Sequence, residues 1–242
     1  MRFKMVLGCG LMVVLGLSCT SQQVGGFLDA ALGPGALTEA DVSAGLKEAL
    51  VLGITKGADQ AAAPDGFFTN PQIKIPFPED IQNVEKKLRA IGLDGLVDRF
   101  ILSLNRAAED AAVHAKPIFI DAIKSMTIRD AWNILRGEQD AATEYLRRTT
   151  SDSLYTAFRP TVEESLSKVG ATRRYGEVIE RHNRIPFVKK VNPDLPDYAT
   201  KKAIDGLFVL VEQEEARIRE DPVARTTELL KRVFAAQDPA RS

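Results

Sequence analysis

Residues 141–169 read AATEYLRRTTSDSLYTAFRPTVEESLSKV, and their pattern predicts the fold. Large apolar side chains recur at intervals of eight and four residues, at Leu146, Leu154 and Phe158. This spacing places them on one face of an α-helix, with charged and hydroxyl side chains on the other faces. Pro160 is expected to kink or split the helix, because proline has no backbone N–H and crowds the preceding turn.

The same helical spacing extends over most of the chain on both sides of this stretch. A threonine or aspartate before an apolar run, or a proline in the first turn, is typical of a helix start. Further helices are predicted from Thr38, at 79–91, from Asp94, from Pro117, from Thr127 with Asp130, at 171–183, at 197–220 and at 222–235. The sequence therefore predicts an all-α fold, a single domain of about nine helices that spans residues 37–235.

Two proline-rich stretches, residues 64–78 and 185–196, interrupt the helical pattern. Their prolines exclude a central β-strand, because proline cannot donate to a sheet. Each stretch is predicted to form a short extended arm or an edge strand, and pairing of the two is one alternative.

The sequence also contains a weak internal repeat. Ile-Pro-Phe occurs at 75–77 and again at 185–187, and a shift of 111 residues places 94–96 on 205–207, both reading Asp-Gly-Leu. A true repeat predicts two helical halves related by an approximate twofold axis. The alternative is an accidental similarity between helical sequences of like composition.

The start of the chain has the order of a bacterial export signal. Arg2 and Lys4 precede an uncharged run from Met5 to Leu17. This run is too short for a membrane-spanning helix, which needs about 20 residues. Residues 1–18 are therefore predicted to be a signal peptide that is removed.

Cys19 is the predicted site of lipid attachment. Cys9 is the other candidate, but too few residues precede it to supply both a basic segment and an apolar core. Gly16 stands three residues before Cys19, where lipoprotein signals usually carry leucine, so secretion without a lipid is an alternative. Acyl chains would anchor the protein firmly, since each buried methylene contributes about 0.8 kcal/mol.

The residues around the cysteine also predict a location. Thr20 follows Cys19 where an aspartate would indicate retention in the inner membrane, so the outer membrane, facing the periplasm, is expected. A soluble periplasmic or secreted protein is the alternative. Residues 19–36 are rich in glycine and polar side chains and are expected to be a flexible tether. Residues 236–242 are expected to be a disordered tail.

Charge limits the classes of partner. Without Arg2 and Lys4, the 32 basic residues fall to 30 against 33 acidic ones, a net charge of −3. Such a chain has no electrostatic support for binding nucleic acid. Basic residues are concentrated at 167–202, which predicts contact with anionic headgroups or with an acidic envelope protein. A solvated basic surface is the alternative.

Four phrases occur in a characteristic order: NRAAE at 105–109, DAIKSMT at 121–127, AATEY at 141–145 and DGLF at 205–208. Together with Asp-Pro at 221–222 and Arg-Thr-Thr at 225–227, they resemble the bacterial family known as Domain of Unknown Function 4197. The resemblance covers about residues 37–234. It implies an exported, mostly helical domain with no established activity and no catalytic residues to carry over.

No metal, cofactor or catalytic residue is predicted. His114 and His182 are 68 residues apart, and neither belongs to an H-E-x-x-H or H-x-x-x-H pair that would place two imidazoles on one helix face. Ser165 and Lys168 match the S-x-x-K motif of penicillin-recognising enzymes, but the accompanying motifs are absent. This pair is therefore interpreted as solvated.

Polar side chains within the predicted helices are candidates for a shared cleft. Asn105, Arg106 and Glu109 lie beside one another on one helix face. The candidates to join them from other helices are Tyr145, Arg148, Arg159, Asp205 and Arg225. Arginine suits such a cleft because it binds carboxylate or phosphate by two parallel hydrogen bonds. The alternative is a structural network of arginine–carboxylate pairs between helices.

The predicted function is that of a lipid-anchored, non-catalytic binding or scaffolding component of the cell envelope. One alternative is a helical carrier of a lipid or similar apolar ligand, which a deep apolar cavity between helices would favour. The other is an enzyme built around Arg106, Glu109 and Tyr145, which requires that these side chains converge in an open pocket.

Overall fold

A computed structural model describes residues 38–220, and α-helices make up most of this part of the chain. The helices are α1 (Glu39–Ala62), α2 (Gln82–Ala90), α3 (Asp94–Ala112), α4 (Ala115–Ser125), α5 (Ile128–Leu135), α6 (Ala141–Lys168), α7 (Ala171–Asn183) and α8 (Leu195–Glu220). A single 3₁₀ turn, Glu79–Ile81, precedes α2. The predicted all-α class is confirmed, and the described residues contain no β-strand.

Several predicted features lie outside the described residues. These are the signal peptide at 1–18, the tether at 19–36 with Cys19, the helix at 222–235 with Arg225, and the tail at 236–242. All eight described helices belong to one compact unit that begins at Glu39. None of these eight helices is both long enough and apolar enough to cross a membrane.

The long helix α8 is the centre of the core. It packs against α6, α1 and α3, and α6 packs in turn against α3. Phe208 of α8 is fully buried and meets Phe119 of α4 edge-on, with 5.7 Å between the ring centroids. Leu154 and Phe158 of α6 are also fully buried, as the helical spacing predicts.

Small side chains let these helices approach closely. A Cβ on Gly57 of α1 would stand 3.5 Å from the backbone carbonyl carbon of Leu210 in α8. Within α8 itself, a Cβ on Gly206 would stand 2.7 Å from the ring of Phe67. The core therefore depends on short distances between backbones as well as on large apolar side chains.

Helix α5 begins where the sequence predicts, at a reciprocal cap. The Thr127 hydroxyl accepts a hydrogen bond from the Asp130 N–H (3.1 Å), and the Asp130 carboxylate accepts one from the Thr127 N–H (3.0 Å). The Thr127 hydroxyl and N–H both donate to the Asp130 carboxylate and hold its pKa below the usual value. This capping box satisfies donors that a helix start would otherwise leave unpaired.

Helix α6 does not split at Pro160 but continues from Ala141 to Lys168. Pro160 lies on the exposed face, whereas Phe158 and Val162 beside it are fully buried. Packing on the buried face therefore holds the helix together, and the carbonyl that loses its partner is close to water. The start of α6 is held by Glu215 of α8, whose carboxylate accepts from the N–H groups of residues 142 and 143 at 3.0 and 2.8 Å.

Neither proline-rich stretch forms a β-strand within the described residues, so the two are not paired as strands. The second stretch does lie near the end of the first, since the Lys189 ammonium is 2.9 Å from the carboxylate of Asp80, two residues beyond residue 78. The proposed repeat differs at its element boundaries: Asp94 begins α3, whereas Asp205 is in the interior of α8. Its second half extends beyond residue 220, and the repeat stays a prediction.

Candidate functional site

An apolar groove opens on the surface where two pairs of helices diverge. One wall consists of α2 and α3, and the other consists of the end of α6 and the first turns of α7. The cavity volume is about 560 Å³. This volume is within the range of about 300–1,000 Å³ that is usual for small-molecule sites.

The groove exists because α3 carries more apolar surface than its core partners cover. Leu104 and Ala108 face the core, where α3 packs on α6 and α8. Phe100 and Leu96, one and two turns before Leu104 on the same helix, line the groove. Helix α7 packs on α6 and α8, and this leaves the first half of α3 open to the groove.

Helix α2 closes the groove on its outer side. Its Val84 and Leu88 line the cavity, and none of its residues is fully buried. The helix packs mainly on α3 and on the 3₁₀ turn before it. It is therefore a short wall held mainly by a single neighbouring helix.

A row of three aromatic rings lies along the groove. The Phe77 and Phe100 ring centroids are 5.1 Å apart, and Phe100 stacks on Tyr175 of α7 with 6.3 Å between centroids. The Tyr175 hydroxyl donates to the carbonyl of Asn192 (3.2 Å). Burial raises the pKa of Tyr175 to about 12, so its phenol is neutral at physiological pH. The aromatic row is thus uncharged.

Large apolar side chains at the edge of the groove remain exposed. Leu96, Val169 and Val178 expose 38%, 53% and 39% of their surface. Ile91 and Leu93, in the turn between α2 and α3, extend the exposed apolar surface. Soluble proteins rarely leave such surface clustered unless it contacts a ligand or another surface.

The polar side chains of the groove are mainly cationic. The charged residues that line it are Arg99, Arg106, Lys168 and Arg174, with Asp110 as the one carboxylate. Asp110 accepts a hydrogen bond from the Ser165 hydroxyl (2.7 Å), which ties α3 to α6. The groove therefore presents an excess of positive charge beside an apolar surface.

Two of these cations lack a partner within residues 38–220. Lys168 pairs with Glu164 at 2.8 Å, and Arg106 is committed to two carboxylates. Arg99 and Arg174 make no ion pair or side-chain hydrogen bond in the described part of the chain. Their guanidinium groups are available to an anion at the groove.

Three residues of the predicted polar cleft, all on α3, act together as a clamp. Asn105 accepts from the Ile75 N–H (2.8 Å) and donates to the Ile75 carbonyl (2.9 Å). Glu109 accepts from the N–H groups of residues 67 and 68 at 3.1 and 3.2 Å. Arg106 donates to Glu109, and this hydrogen bond raises the pKa of Arg106. The three side chains hold the proline-rich segment 65–75 against α3.

The other described candidates lie in separate places. Arg148 stacks on Tyr145 with 5.6 Å from the guanidinium carbon to the ring centroid. Arg159 donates to Asp194 (2.8 Å), which raises the pKa of Arg159, and Asp205 is 4.0 Å from Arg147.

Tyr145 is well removed from the groove. It precedes Ser165 by 20 residues in α6, or roughly 30 Å along the helix. The structure therefore brings Asn105, Arg106 and Glu109 together and leaves Tyr145, Arg148, Arg159 and Asp205 apart from them.

A comparison with known families finds one match over most of the chain. A family model described as "Protein of unknown function (DUF4197)" matches residues 36–235. The chain belongs to the DUF4197 family. The match spans all eight described helices and every residue of the groove, and it confirms the resemblance found in the sequence. No curated protein and no solved structure matches the chain.

The two histidines of this DUF4197 domain contact oxygen atoms of the protein. The His114 Nε2 is 3.1 Å from the Thr161 hydroxyl, and the His182 Nε2 is 3.3 Å from the Lys189 carbonyl. Within residues 38–220, no three His, Cys, Asp or Glu side chains are grouped so as to hold a metal ion.

The sequence indicated the groove of the DUF4197 domain only indirectly. Leu96 and Phe100 lie on the helix that is predicted from Asp94, and Ser165 and Lys168 are the pair interpreted as solvated; all four line the groove. The available signal was the width of the apolar surface on α3, which exceeds what one packed face requires. Which part of that surface stays open depends on the placement of α2 and α7.

Proposed function

We propose that the groove binds the acyl chain of an anionic amphiphile, such as a fatty acid, and that the protein is a non-catalytic carrier. The observation that supports this most directly is the combination of an apolar cavity of about 560 Å³ with two unpaired arginines, Arg99 and Arg174. An apolar chain and a negatively charged head are the two chemical features that this combination fits.

The chain and the head contribute differently to binding. Each methylene that moves from water into the groove contributes about 0.8 kcal/mol, so the apolar part supplies most of the affinity. Hydrogen bonds between a guanidinium and a carboxylate or phosphate are directional and often paired. Arg99 and Arg174 therefore supply the directional contacts to the head.

Among the functions expected from the sequence, the groove favours the carrier. A scaffold needs no apolar groove of this volume. The enzyme alternative needs Arg106, Glu109 and Tyr145 in one open pocket, but Arg106 and Glu109 bond each other and Tyr145 stacks on Arg148. The geometry gives that alternative no support.

The proposal includes a lipid anchor at Cys19 and a location at the periplasmic face of the outer membrane. Both rest on the sequence alone, because Cys19 lies outside the described residues. Metabolic labelling with an acyl-chain probe tests the anchor, and the label is expected to be lost in Cys19→Ala. Label that persists in Cys19→Ala and disappears in Cys9→Ala would place the anchor at the other cysteine.

Ligand binding is tested on the full exported chain with a fluorescent long-chain fatty acid. An unlabelled fatty acid and the alcohol of the same length then compete for the site. The fatty acid is expected to compete about tenfold more effectively, because only its carboxylate engages the arginines. Equal competition would refute a head-group role for Arg99 and Arg174.

Two matched pairs of variants locate the site. Val178→Asp places a carboxylate in the apolar wall and is expected to weaken fatty-acid binding at least about tenfold, whereas Val113→Asp changes a similarly exposed valine outside the groove. Arg174→Glu reverses a groove charge, and Arg173→Glu makes the same change at the neighbouring exposed position. Equal effects of the two members of either pair would show that the probe binds elsewhere.

A further inference from the structure

The loop between α7 and α8 presents an apolar tip to the solvent. Phe187 is fully exposed, at 108% of its reference surface, and Ile185 exposes 54%. Phe187 also has a φ of +65°, a conformation that costs free energy for a bulky residue. A single exposed apolar residue is ordinary, but two at one tip, with the larger held in a strained conformation, indicate a contact surface.

The base of the loop is fixed to the body of the protein. The Asn183 side chain accepts from the Val191 N–H and donates to the Val191 carbonyl, each at 2.9 Å. Val191 is buried, and the next carbonyl, of Asn192, accepts from Tyr175. These bonds close the loop at its base, so residues 185–188 project as a defined tip.

Basic residues flank the tip on both sides in the sequence. They are Arg181, Arg184, Lys189 and Lys190. Within the described residues, three of them have no ion pair, and Lys189 pairs with Asp80 at 2.9 Å. The nearest acidic residues in the chain are Glu180 and Asp194, and Asp194 is held by Arg159. An apolar tip flanked by basic residues is complementary to a bilayer that carries anionic lipids.

We propose that residues 185–188 insert into an anionic lipid surface. Phe187 and Ile185 then lie among the acyl chains, and the flanking basic residues lie at the headgroups. Each basic side chain near such a surface contributes a favourable electrostatic interaction that salt weakens. This contact is separate from the acyl groove and does not depend on a ligand being bound there. It requires only that the tip be free and the surface negatively charged.

The position of the tip relates it to the groove. Lys189 contacts Asp80, which adjoins the groove residue Ile81, and Tyr175 both lines the groove and bonds the base of the loop. Insertion of the tip therefore brings one end of the groove to the bilayer surface. A lipid anchor alone would leave the orientation of the folded domain undefined.

A single tryptophan placed at the tip reports insertion directly. Trp132 is the one tryptophan in the chain, so its replacement leaves the introduced indole as the only one. Phe187→Trp is combined with Trp132→Phe in the full chain, purified in the form that the cell exports. The protein is mixed with vesicles of phosphatidylcholine, alone or with phosphatidylglycerol. A matched control carries Leu52→Trp with Trp132→Phe, since Leu52 is also exposed but lies on α1.

With the anionic vesicles, the indole at position 187 is expected to shift to the blue and to be quenched by acyl-brominated lipid. High salt should reverse both effects, and the indole at position 52 should show neither. An indole at position 187 that stays water-exposed with every vesicle refutes insertion and leaves a protein as the partner of the tip. Equal insertion into neutral and anionic vesicles refutes the role of the flanking basic residues.

A second pair of variants measures the strength of the contact. In the Cys19→Ala background, which lacks the proposed acyl anchor, Phe187→Ser is expected to reduce partitioning to anionic vesicles by about tenfold to hundredfold. Leu52→Ser removes apolar surface elsewhere and is expected to have no effect. Circular dichroism confirms that each variant is folded, and fatty-acid competition shows whether the groove still binds. Loss of groove binding with intact insertion, or the reverse, therefore separates this inference from the proposed function.

Discussion

Gly206 and Gly176 show that one residue type has opposite effects on stability in two helices. In the interior of α8, a Cβ on Gly206 would stand 2.7 Å from the fully buried ring of Phe67 and 3.1 Å from the Ile73 Cβ. In α7, a Cβ on Gly176 would meet nothing within 4 Å. The first glycine is therefore required by packing, whereas the second only weakens its helix.

Replacement of these two glycines by alanine is expected to change the free energy of unfolding in opposite directions. Gly206→Ala gains about 1 kcal/mol of helix propensity but loses about 1 to 3 kcal/mol through overpacking, so it should be net destabilising. Gly176→Ala should stabilise by about 0.5 to 1 kcal/mol. Urea unfolding measures both. A stabilising Gly206→Ala would show that the ring of Phe67 can move aside.

Glu109 is the member of the α3 clamp whose loss should be most damaging. Glu109→Ala removes the acceptor of two backbone N–H groups at residues 67 and 68, so a loss of about 2 to 4 kcal/mol is expected. The ion pair with Arg106 adds little, because the Arg106 side chain is 41% exposed. Glu109→Gln keeps an acceptor oxygen and should lose less. Equal losses in the two variants would mean that the charge, not the acceptor, holds the segment.

Helices of the chain were predictable to the extent that their signals are local. The Thr127–Asp130 cap identified the start of α5 because its hydrogen bonds join residues three apart. Asp94 was expected to cap α3, but the cap position is Leu93, and Asp94 lies in the first turn, where its charge suits the helix dipole. The role of Glu215 was not predictable, because its partners are more than 70 residues away in the sequence.

Pro160→Ala tests how α6 accommodates its proline. The substitution restores an N–H to the exposed face of a helix that is already continuous, so it is expected to stabilise the protein by about 1 to 3 kcal/mol. Thermal unfolding provides the measurement, with Pro117→Ala in the first turn of α4 as the control that should gain much less. A destabilised Pro160→Ala would indicate that a bend at this position is needed for the packing of Phe158 and Val162.

The all-α class of the molecule followed from helical spacing, but the groove did not. Spacing along α3 shows that Leu96, Phe100 and Leu104 face similar directions. It does not show that α6 and α8 cover Leu104 while Phe100 is left to line a cavity. That division arises from contacts between residues far apart in the sequence. The polar cleft was difficult for the same reason, since its candidates lie on several helices.

The tyrosines of the folded protein predict how its stability depends on alkaline pH. Burial raises the pKa of Tyr175 to about 12, and burial also raises the pKa of Tyr198, whereas a tyrosine in the unfolded chain titrates near 10. Above pH about 10 the unfolded chain loses phenolic protons before the folded protein does. The folded state then binds more protons, so the free energy of unfolding must fall as the pH rises from about 10 to 12.

Tyr175→Phe should therefore weaken this dependence while leaving stability at neutral pH nearly unchanged. The ring that stacks on Phe100 is retained, and only the hydrogen bond to the Asn192 carbonyl, at 3.2 Å, is lost. Urea unfolding at a series of alkaline pH values measures the slope, and phenolate absorbance reports the titration directly. Tyr198→Phe should reduce the slope in the same direction. If wild type and both variants lose stability equally with rising pH, the groups responsible are not these buried phenols. The phenols would then titrate alike in the folded and the unfolded chain.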